Sequence, residues 1–305
     1  MASTKLDITE LDFDQIKTNL KVFLQAQPEF SDYNFEGSGF AVLLDLLAYN
    51  THYLGFNANM LANEMYLDSA DVRANIVSLA KMLGYTPHSV KAPMASIDIV
   101  VNDARGTTLT MSKGSVFTTS VDGTTYNFIT NTDTTTSPVD GIYKFSSVPV
   151  YEGTPVTFRY TVDTLDPDQK YLIPSIDADT TTLKIKVQKS LTNTDSETYT
   201  SVSGLLKLNN ESKIYFLSET DTGKFEVKFG DGIIGKKLES GNIIIMDYIV
   251  TNKTDSNGAN LFNPAGSIGG FSNITVTTVS AAGGGSSAET KESIRFNAPL
   301  QYTAQ

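Results

Sequence analysis

The stretch that decides the fold runs from Ser38 to Leu67, SGFAVLLDLLAYNTHYLGFNANMLANEMYL. It contains no proline, and beyond its first turn the one glycine is Gly55. Ser38 stands where an N-cap belongs, with a hydroxyl suited to accept a bond from a first-turn amide. At 1.5 Å per residue such a helix runs about 45 Å, far longer than an ordinary globular helix. Its apolar residues form two lines. One is Phe40, Leu44, Leu47, Leu54 and Leu61, with Thr51 and Ala58 at the intervening steps. The other is Val42, Leu46, Tyr49, Tyr53, Phe56 and Met60, stepping by four and three in alternation, which is a heptad seam. At 100° per residue the two lines lie about 140° apart. Asn50, Asn57 and Glu64 lie between them, and Asp45, His52, Gly55 and Asn59 occupy the opposite side.

Two apolar lines want partners on two sides. Short flanking helices supply one, and another chain is the candidate for the second. The candidate partner-binding residues are therefore Val42, Leu46, Tyr49, Asn50, Tyr53, Phe56, Asn57 and Met60, with the two amides as register-setting polar groups. A long central helix covered wholly within its own domain is the plainer reading of the same spacing.

Working outward, Asp12 opens a first helix, with Gln15 placed for a capping box and Phe13, Ile16, Leu20 and Phe23 as the apolar face. Pro28 bounds it. The loop from Pro28 to Gly37 holds Phe30, Tyr33 and Phe35, which predicts a packed loop. After the long helix, Ser69 is placed to cap a third, with Val72, Ile76, Leu79 and Leu83 on its face and Gly84 at its C′ position. Two prolines between Tyr85 and Pro93 close a helical region, 1–93.

From Met94 the apolar period changes to two. Ile97, Ile99 and Val101 alternate with Asp98 and Val100; Leu183, Ile185 and Val187 alternate with Lys184 and Lys186. Asp122-Gly123 is a hairpin signal, and Glu152-Gly153 reads as the split between a strand pair, Tyr143–Val150 and Val156–Val162. Ile214–Leu217, Phe225–Phe229, Ile243–Val250 and Ile274–Val279 complete about ten short strands. The expected fold is α+β and multidomain: an N-terminal helical region, then a mostly antiparallel β-sandwich or barrel-like domain over 94–280. The small-residue run AAGGGSS from Ala281 to Ser287 reads as a linker. In 281–305, Glu289–Phe296 begins a helix ahead of Pro299, as the start of a further region missing from this chain.

Composition removes whole classes of function. With 34 acidic and 23 basic residues the formal net charge is −11, which disfavours nucleic acid or an anionic membrane as the main partner. No cysteine is present, so disulfides, thiolate ligands and thiol nucleophiles are out. No apolar run reaches the length of a membrane span, and MASTKLDITELDF lacks a signal-peptide core. The two histidines, His52 and His88, are far apart in sequence, and nucleophile–base pairs are nearly excluded. Asp163, Asp166 and Asp168 lack the EF-hand spacing, so turn chemistry outranks a Ca²⁺ site. Nothing singles out a pair of carboxylates for glycoside hydrolysis. The expectation is no catalytic residue, no metal and no cofactor. The most specific local motif is FGDGIIG, Phe229–Gly235. A strand follows it, not the helix a phosphate loop needs, so Gly230, Asp231, Gly232 and Gly235 read as a tight strand-to-strand structural turn.

Several segments in order resemble one family. The run from Phe35 to Ala95, FEGSGFAVLLDLLAYNTHYLGFNANMLANEMYLDSADVRANIVSLAKMLGYTPHSVKAPMA, is similar to the N-terminal region of the baseplate wedge protein of contractile-tailed, T4-like phages. YEGTPVTFRYTVD and PDQKYLIPS resemble its β-rich part. FGDGIIGKKLESGNIIIMDYIVT and GGGSSAETKESIRFNAP resemble the wider baseplate J-like family. The likeness runs from Phe35 to Pro299, and the family continues into a further domain beyond it. It implies a virion structural subunit of the tail baseplate, assembled in the host cytoplasm and not an enzyme. The likeness also implies that such a subunit joins wedges into the ring around the hub and couples baseplate change to sheath contraction. The implied partners are a second copy, neighbouring baseplate wedge proteins and the sheath-initiating baseplate protein, with no nucleic acid and no membrane. The alternative is a β-rich tail adhesin or carbohydrate-binding module with a helical stalk, a class that favours exposed tryptophan, which this chain lacks.

Overall fold

The computed structural model describes residues 12–202 and 208–303; residues 1–11 of the expected helical region and 304–305 of the expected C-terminal region lie outside it. The chain divides into two compact units, one of residues 1–85 with 291–305, the other of residues 86–290.

The first unit is helical: α1 (Phe13–Gln25), α2 (Gly39–Glu64), α3 (Arg73–Met82) and α4 (Lys291–Thr303). Asp12 caps α1 by accepting from the Gln15 amide at 3.0 Å. The reciprocal half of the capping box is absent, because the Gln15 side chain turns to Asn19 instead. Phe13, Ile16, Leu20 and Leu24 are the half-buried row of α1, while Phe23, expected among them, is exposed. Four residues from Leu20 on the helix is Leu24, and Phe23 falls a step off that row. The aromatic loop does pack: Phe30, Tyr33, Phe35 and Phe40 form a ring cluster with centroids between 5.0 and 6.3 Å apart.

Helix α2 is a single unbroken helix of 26 residues, about 39 Å long. Ser38 is its N-cap by position only. Its hydroxyl donates to the Phe35 carbonyl at 3.4 Å and accepts nothing from the first turn. Ser69 likewise does not cap α3. Its hydroxyl donates to the Asn63 carbonyl, and the N-cap position is Val72, which is why Val72 is exposed and not on the buried face. Gly84, at φ 78°, ends α3; its amide bonds Lys81 and that of Tyr85 bonds Ala80, so the last carbonyls are satisfied. Residues 291–303 are a continuous helix through Pro299. Ile294 and Ala298 of α4 join Ala70, Ile76, Val77, Ala80 and Tyr85 in one core, so this segment belongs to the helical unit. Lys291 reaches the Asp71 carboxylate and Arg295 the Ala70 carbonyl.

The second unit holds β1 (Met94–Val101), β2 (Leu109–Met111), β3 (Val116–Val121), β4 (Thr124–Thr130), β5 (Thr134–Thr136), β6 (Tyr143–Glu152), β7 (Thr154–Thr161), β8 (Tyr171–Leu172), β9 (Ala178–Gln188), β10 (Ser196–Ser201), β11 (Ile214–Glu219), β12 (Phe225–Phe229), β13 (Ile243–Val250), β14 (Asn263–Pro264) and β15 (Ile274–Gly283). Ala281–Gly283, expected in a linker, end β15. Six strands form one sheet in the order β14-β3-β4-β6-β1-β15, seven another in the order β7-β13-β9-β10-β11-β12-β8, and β2 pairs β5 separately. All pairs are antiparallel except β10 with β11. Alternation decides the inward faces: Ile97, Ile99, Phe117, Phe128 and Phe145 fill the first core, and Ile185, Val227, Ile244 and Met246 the second.

Both sheets curl towards closure. Backbone bonds tie Ala282 at the end of β15 to Gly258 and Ala259, just before β14. In the other sheet, Tyr160 of β7 meets Tyr171 of β8 with centroids 5.6 Å apart and bonds the Leu172 carbonyl. β6 and β7 are not the hairpin the sequence implies. β6 pairs with β1 and β4, β7 with β13, so the chain changes sheets at Glu152-Gly153. Glu152 is buried there, accepting from Thr251 Oγ1 at 2.6 Å, from the Asn252 amide at 2.9 Å and from its side chain at 2.7 Å. A Cβ on Gly153 would lie 2.3 Å from the Val250 carbonyl oxygen, so only glycine fits the crossing.

Candidate interaction surface

Helix α2 has almost no covered side. Leu44 and Ala48 are its buried residues, with α1 lying along it and Lys17 paired with Asp45. The contact falls on the side of Ala41, Leu44, Asp45 and Ala48, away from the heptad seam. Val42, Leu46, Tyr49, Tyr53, Phe56 and Met60 are all between 49% and 69% exposed. Asn50 is exposed and Asn57 half-buried. The first line fares little better: only Leu44 is buried and Phe40 half-buried, while Leu47, Leu54 and Leu61 are exposed. Those three, with Leu43, extend the exposed apolar area of α2 beyond the seam. Spacing alone holds no signal for that exposure.

Order exists along this surface without a cover. Tyr49 and Tyr53 stack with centroids 6.4 Å apart and planes 13° from parallel. The helix carries two acidic side chains and no lysine or arginine, and both acids are engaged within the unit. Asp45 holds the Lys17 amine above its ordinary value through their hydrogen bond. Lys21 in the same way holds Glu36, in the loop before α2, below its own. Glu64 reaches from the end of α2 to the start of α3. Its carboxylate accepts from the Asp71 amide at 2.8 Å, the Val72 amide at 3.2 Å and the Asn75 side chain at 2.7 Å. Burial pushes that carboxyl up, but these bonds outweigh it and hold it below the usual range. The anion sits at a helix N-terminus, where it is favoured. The exposed rows of α2 are thus left apolar and uncharged, with amides as their polar groups.

The other sequence candidates hold no chemistry that competes. In the turn after β12, Asp231 Oδ1 accepts from the Ile233 and Ile234 amides, each at 2.9 Å, and these bonds keep its carboxyl below the ordinary value. Gly232 and Gly235 have φ of 93° and 87°, and the Gly232 amide bonds the Gly235 carbonyl. The connection is longer than a tight link, because β12 and β13 are not neighbours in the sheet. Asp163 accepts from the Leu165 amide and Asp166 from the Asp168 amide, both within their own turns. His52 is half-buried on α2, and His88 is exposed in the second unit. Among the described residues no group of three or more His, Asp or Glu is placed to hold a metal. A cavity of about 250 Å³ between Gly114–Phe117 and Pro264–Ile268 is lined without any titratable side chain. No helix among the described residues is long and apolar enough to cross a membrane.

Residues 12–85 match the family model "Baseplate wedge protein gp6-like, helical domain". The match covers α1, α2 and α3, the region that carries the exposed rows. The chain is also 30% identical over 286 residues to the baseplate wedge protein gp6 of Enterobacteria phage T4. It is a relative of the gp6-like baseplate wedge proteins. That alignment takes in 88% of this chain and 42% of the phage T4 protein, so the chain spans less than half of that relative's length. Among solved structures, a chain of the anti-feeding prophage baseplate, determined by cryo-electron microscopy, aligns over 98% of this chain and 61% of its own. Its identity is 9% and its TM-score 0.36, a likeness too distant to bear on the reading. The gp6-like match accounts for a helical domain built around α2.

Proposed function

We propose that this gp6-like chain is a structural subunit of a phage tail baseplate wedge, in the virion, and not an enzyme. The observation that carries the reading is the bare α2: a long helix with two exposed apolar rows in the region matched to the wedge family. Water against those rows is costly, about 25 cal/mol for each Å² of apolar area that a partner would remove. The Val42–Met60 row is bound by another chain, a second copy or a neighbouring wedge protein, with Asn50 and Asn57 setting the register. Through that contact and others the subunit joins wedges into the ring around the hub, meets the sheath-initiating protein and couples baseplate change to sheath contraction. A photo-crosslinking amino acid at Tyr49 or Phe56, in particles assembled with the full chain, tests this. Adducts to another structural chain or to a second copy are expected. A chain incorporated into particles without adducts from either position overturns the assigned surface, and a chain absent from particles overturns the baseplate role.

A further inference from the structure

The seven-stranded sheet turns one face to its core and the other outward. On the outward face, register aligns Arg159 of β7, Ile245 of β13 and Lys186 of β9 in one row, and Thr157, Asp247 and Lys184 in the next. Neighbouring strands are about 4.8 Å apart, so Arg159 and Lys186 flank Ile245 across about 10 Å. Both cations are exposed, and among the described residues neither has an ion-pair partner. The one carboxylate in these rows is already engaged: Asp247 pairs with Lys113 at 2.7 Å and accepts from Thr157. Lys184 donates to the Asn131 carbonyl, and burial, then the Lys113 charge, pushes its amine below the ordinary value. Lys113, Lys184, Lys186 and Arg159 thus share one carboxylate, Asp247, whose carboxyl burial pushes up but the Lys113 and Lys186 charges help hold below its ordinary value, on a chain with 34 acidic residues against 23 basic.

We infer that this face binds a carboxylate-bearing surface of another protein chain, with Arg159 and Lys186 as its charged contacts and Ile245 as the apolar centre. Arg159 presents a planar fork suited to a carboxylate, and Lys186 a point charge beside it. The half-buried Ile245 between them loses its remaining water on docking, so the contact has an apolar centre inside a charged rim. A nucleic acid fits less well. The outward rows offer no aromatic ring for a base to stack on. The contact is separate from the rows of α2, and it does not rest on the baseplate reading.

The test uses the full chain and fluorescein-labelled decaglutamate at low salt. Fluorescence anisotropy reads binding, and amide chemical shifts locate it. Shifts centred on β7, β13 and β9 are expected, with binding lost on adding salt. Arg159→Glu with Lys186→Glu should weaken binding at least about tenfold. Arg159→Gln with Lys186→Gln, which adds no like charge, should weaken it in the same direction. Circular dichroism and thermal unfolding check that both variants fold. Unchanged binding by the folded variants, or shifts centred elsewhere, overturns the assignment. So does a face that takes oligothymidylate in preference to decaglutamate.

Discussion

Replacing Gly230 by alanine should destabilise the second unit more than replacing Gly232, although Gly232 is the residue with positive φ. An added Cβ on Gly230 would lie 2.2 Å from the Gly235 carbonyl carbon and 2.3 Å from its oxygen. Contact between non-bonded heavy atoms is comfortable at about 3.5–4.0 Å, so the backbone of the turn has to open by about 1 Å or more. Opening breaks what Gly235 holds. Its carbonyl accepts from the Gly232 amide at 3.1 Å, and its amide donates to Asn209 at 2.9 Å; the next amide, Lys236, donates to Ser212 at 2.8 Å. At about 1 kcal/mol net for each bond, the cost is about 3 kcal/mol. At Gly232 the nearest atom to a new Cβ is Lys237 Cβ at 3.6 Å, so space is available. There the cost is the left-handed backbone alone, about 1–2 kcal/mol. The chain has no tryptophan, so guanidinium unfolding can be followed by tyrosine fluorescence, with Tyr199 and Tyr215 in the second core beside this turn. A Gly230→Ala midpoint equal to wild type, or a Gly232→Ala variant that loses more than Gly230→Ala, refutes the close-approach argument.

Tyr49→Glu with Tyr53→Glu should abolish incorporation into particles while leaving the second unit folded, read by particle composition and by amide exchange of β1 and β13. A double variant that still assembles removes these positions from the interface. Glu64→Ala should loosen the start of α3 by about 1 kcal/mol, the usual worth of an N-terminal cap at a solvated site, seen as faster amide exchange at Ile76 and Val77. The same junction should depend on pH. Because the folded Glu64 carboxyl is held below its ordinary value, its contribution is complete above the unfolded value of about 4.3 and is lost as pH falls through the lower folded one. Exchange at Ile76 that is equally slow on both sides of that window contradicts the role given to Glu64.

The fold class was legible because two periods are written plainly into the chain. Four-and-three spacing from Val42 to Met60 specifies a helix, and alternation at Ile97–Val101 and Leu183–Val187 specifies strands. Where the sequence misled, a local signal stood in for a partner that only folding supplies. Glu152-Gly153 has the residues of a turn, yet the glycine is there because Val250 passes within 2.3 Å of its Cβ direction, a contact across 97 residues that no local reading finds. Ser69 is the expected cap of α3, but the acceptor used is Glu64, seven residues before Asp71, because the turn at 66–70 brings the start of α3 within reach of that carboxylate. Ile294 and Ala298 share a core with Ile76 and Ala80, a long-range pairing that nothing local in the sequence tells.

The same limit explains why the surface on α2 was only half legible. Periodicity reports that a face is apolar; it does not report what covers it. Two lines 140° apart predicted two covers by roughly the arithmetic of helix geometry, and α1 was the obvious cover for one. The structure instead seats α1 on the side of Asp45, where Lys17 has a carboxylate to meet and Ala41 and Ala48 let a helix come close. Small residues and one ion pair position that contact better than a row of leucines would, because close approach needs little side chain in the way. Of the first line only Leu44 and, in part, Phe40 are then covered; the rest of both lines is exposed, and that exposure, not the spacing, is the ground for proposing α2 as a surface for another chain.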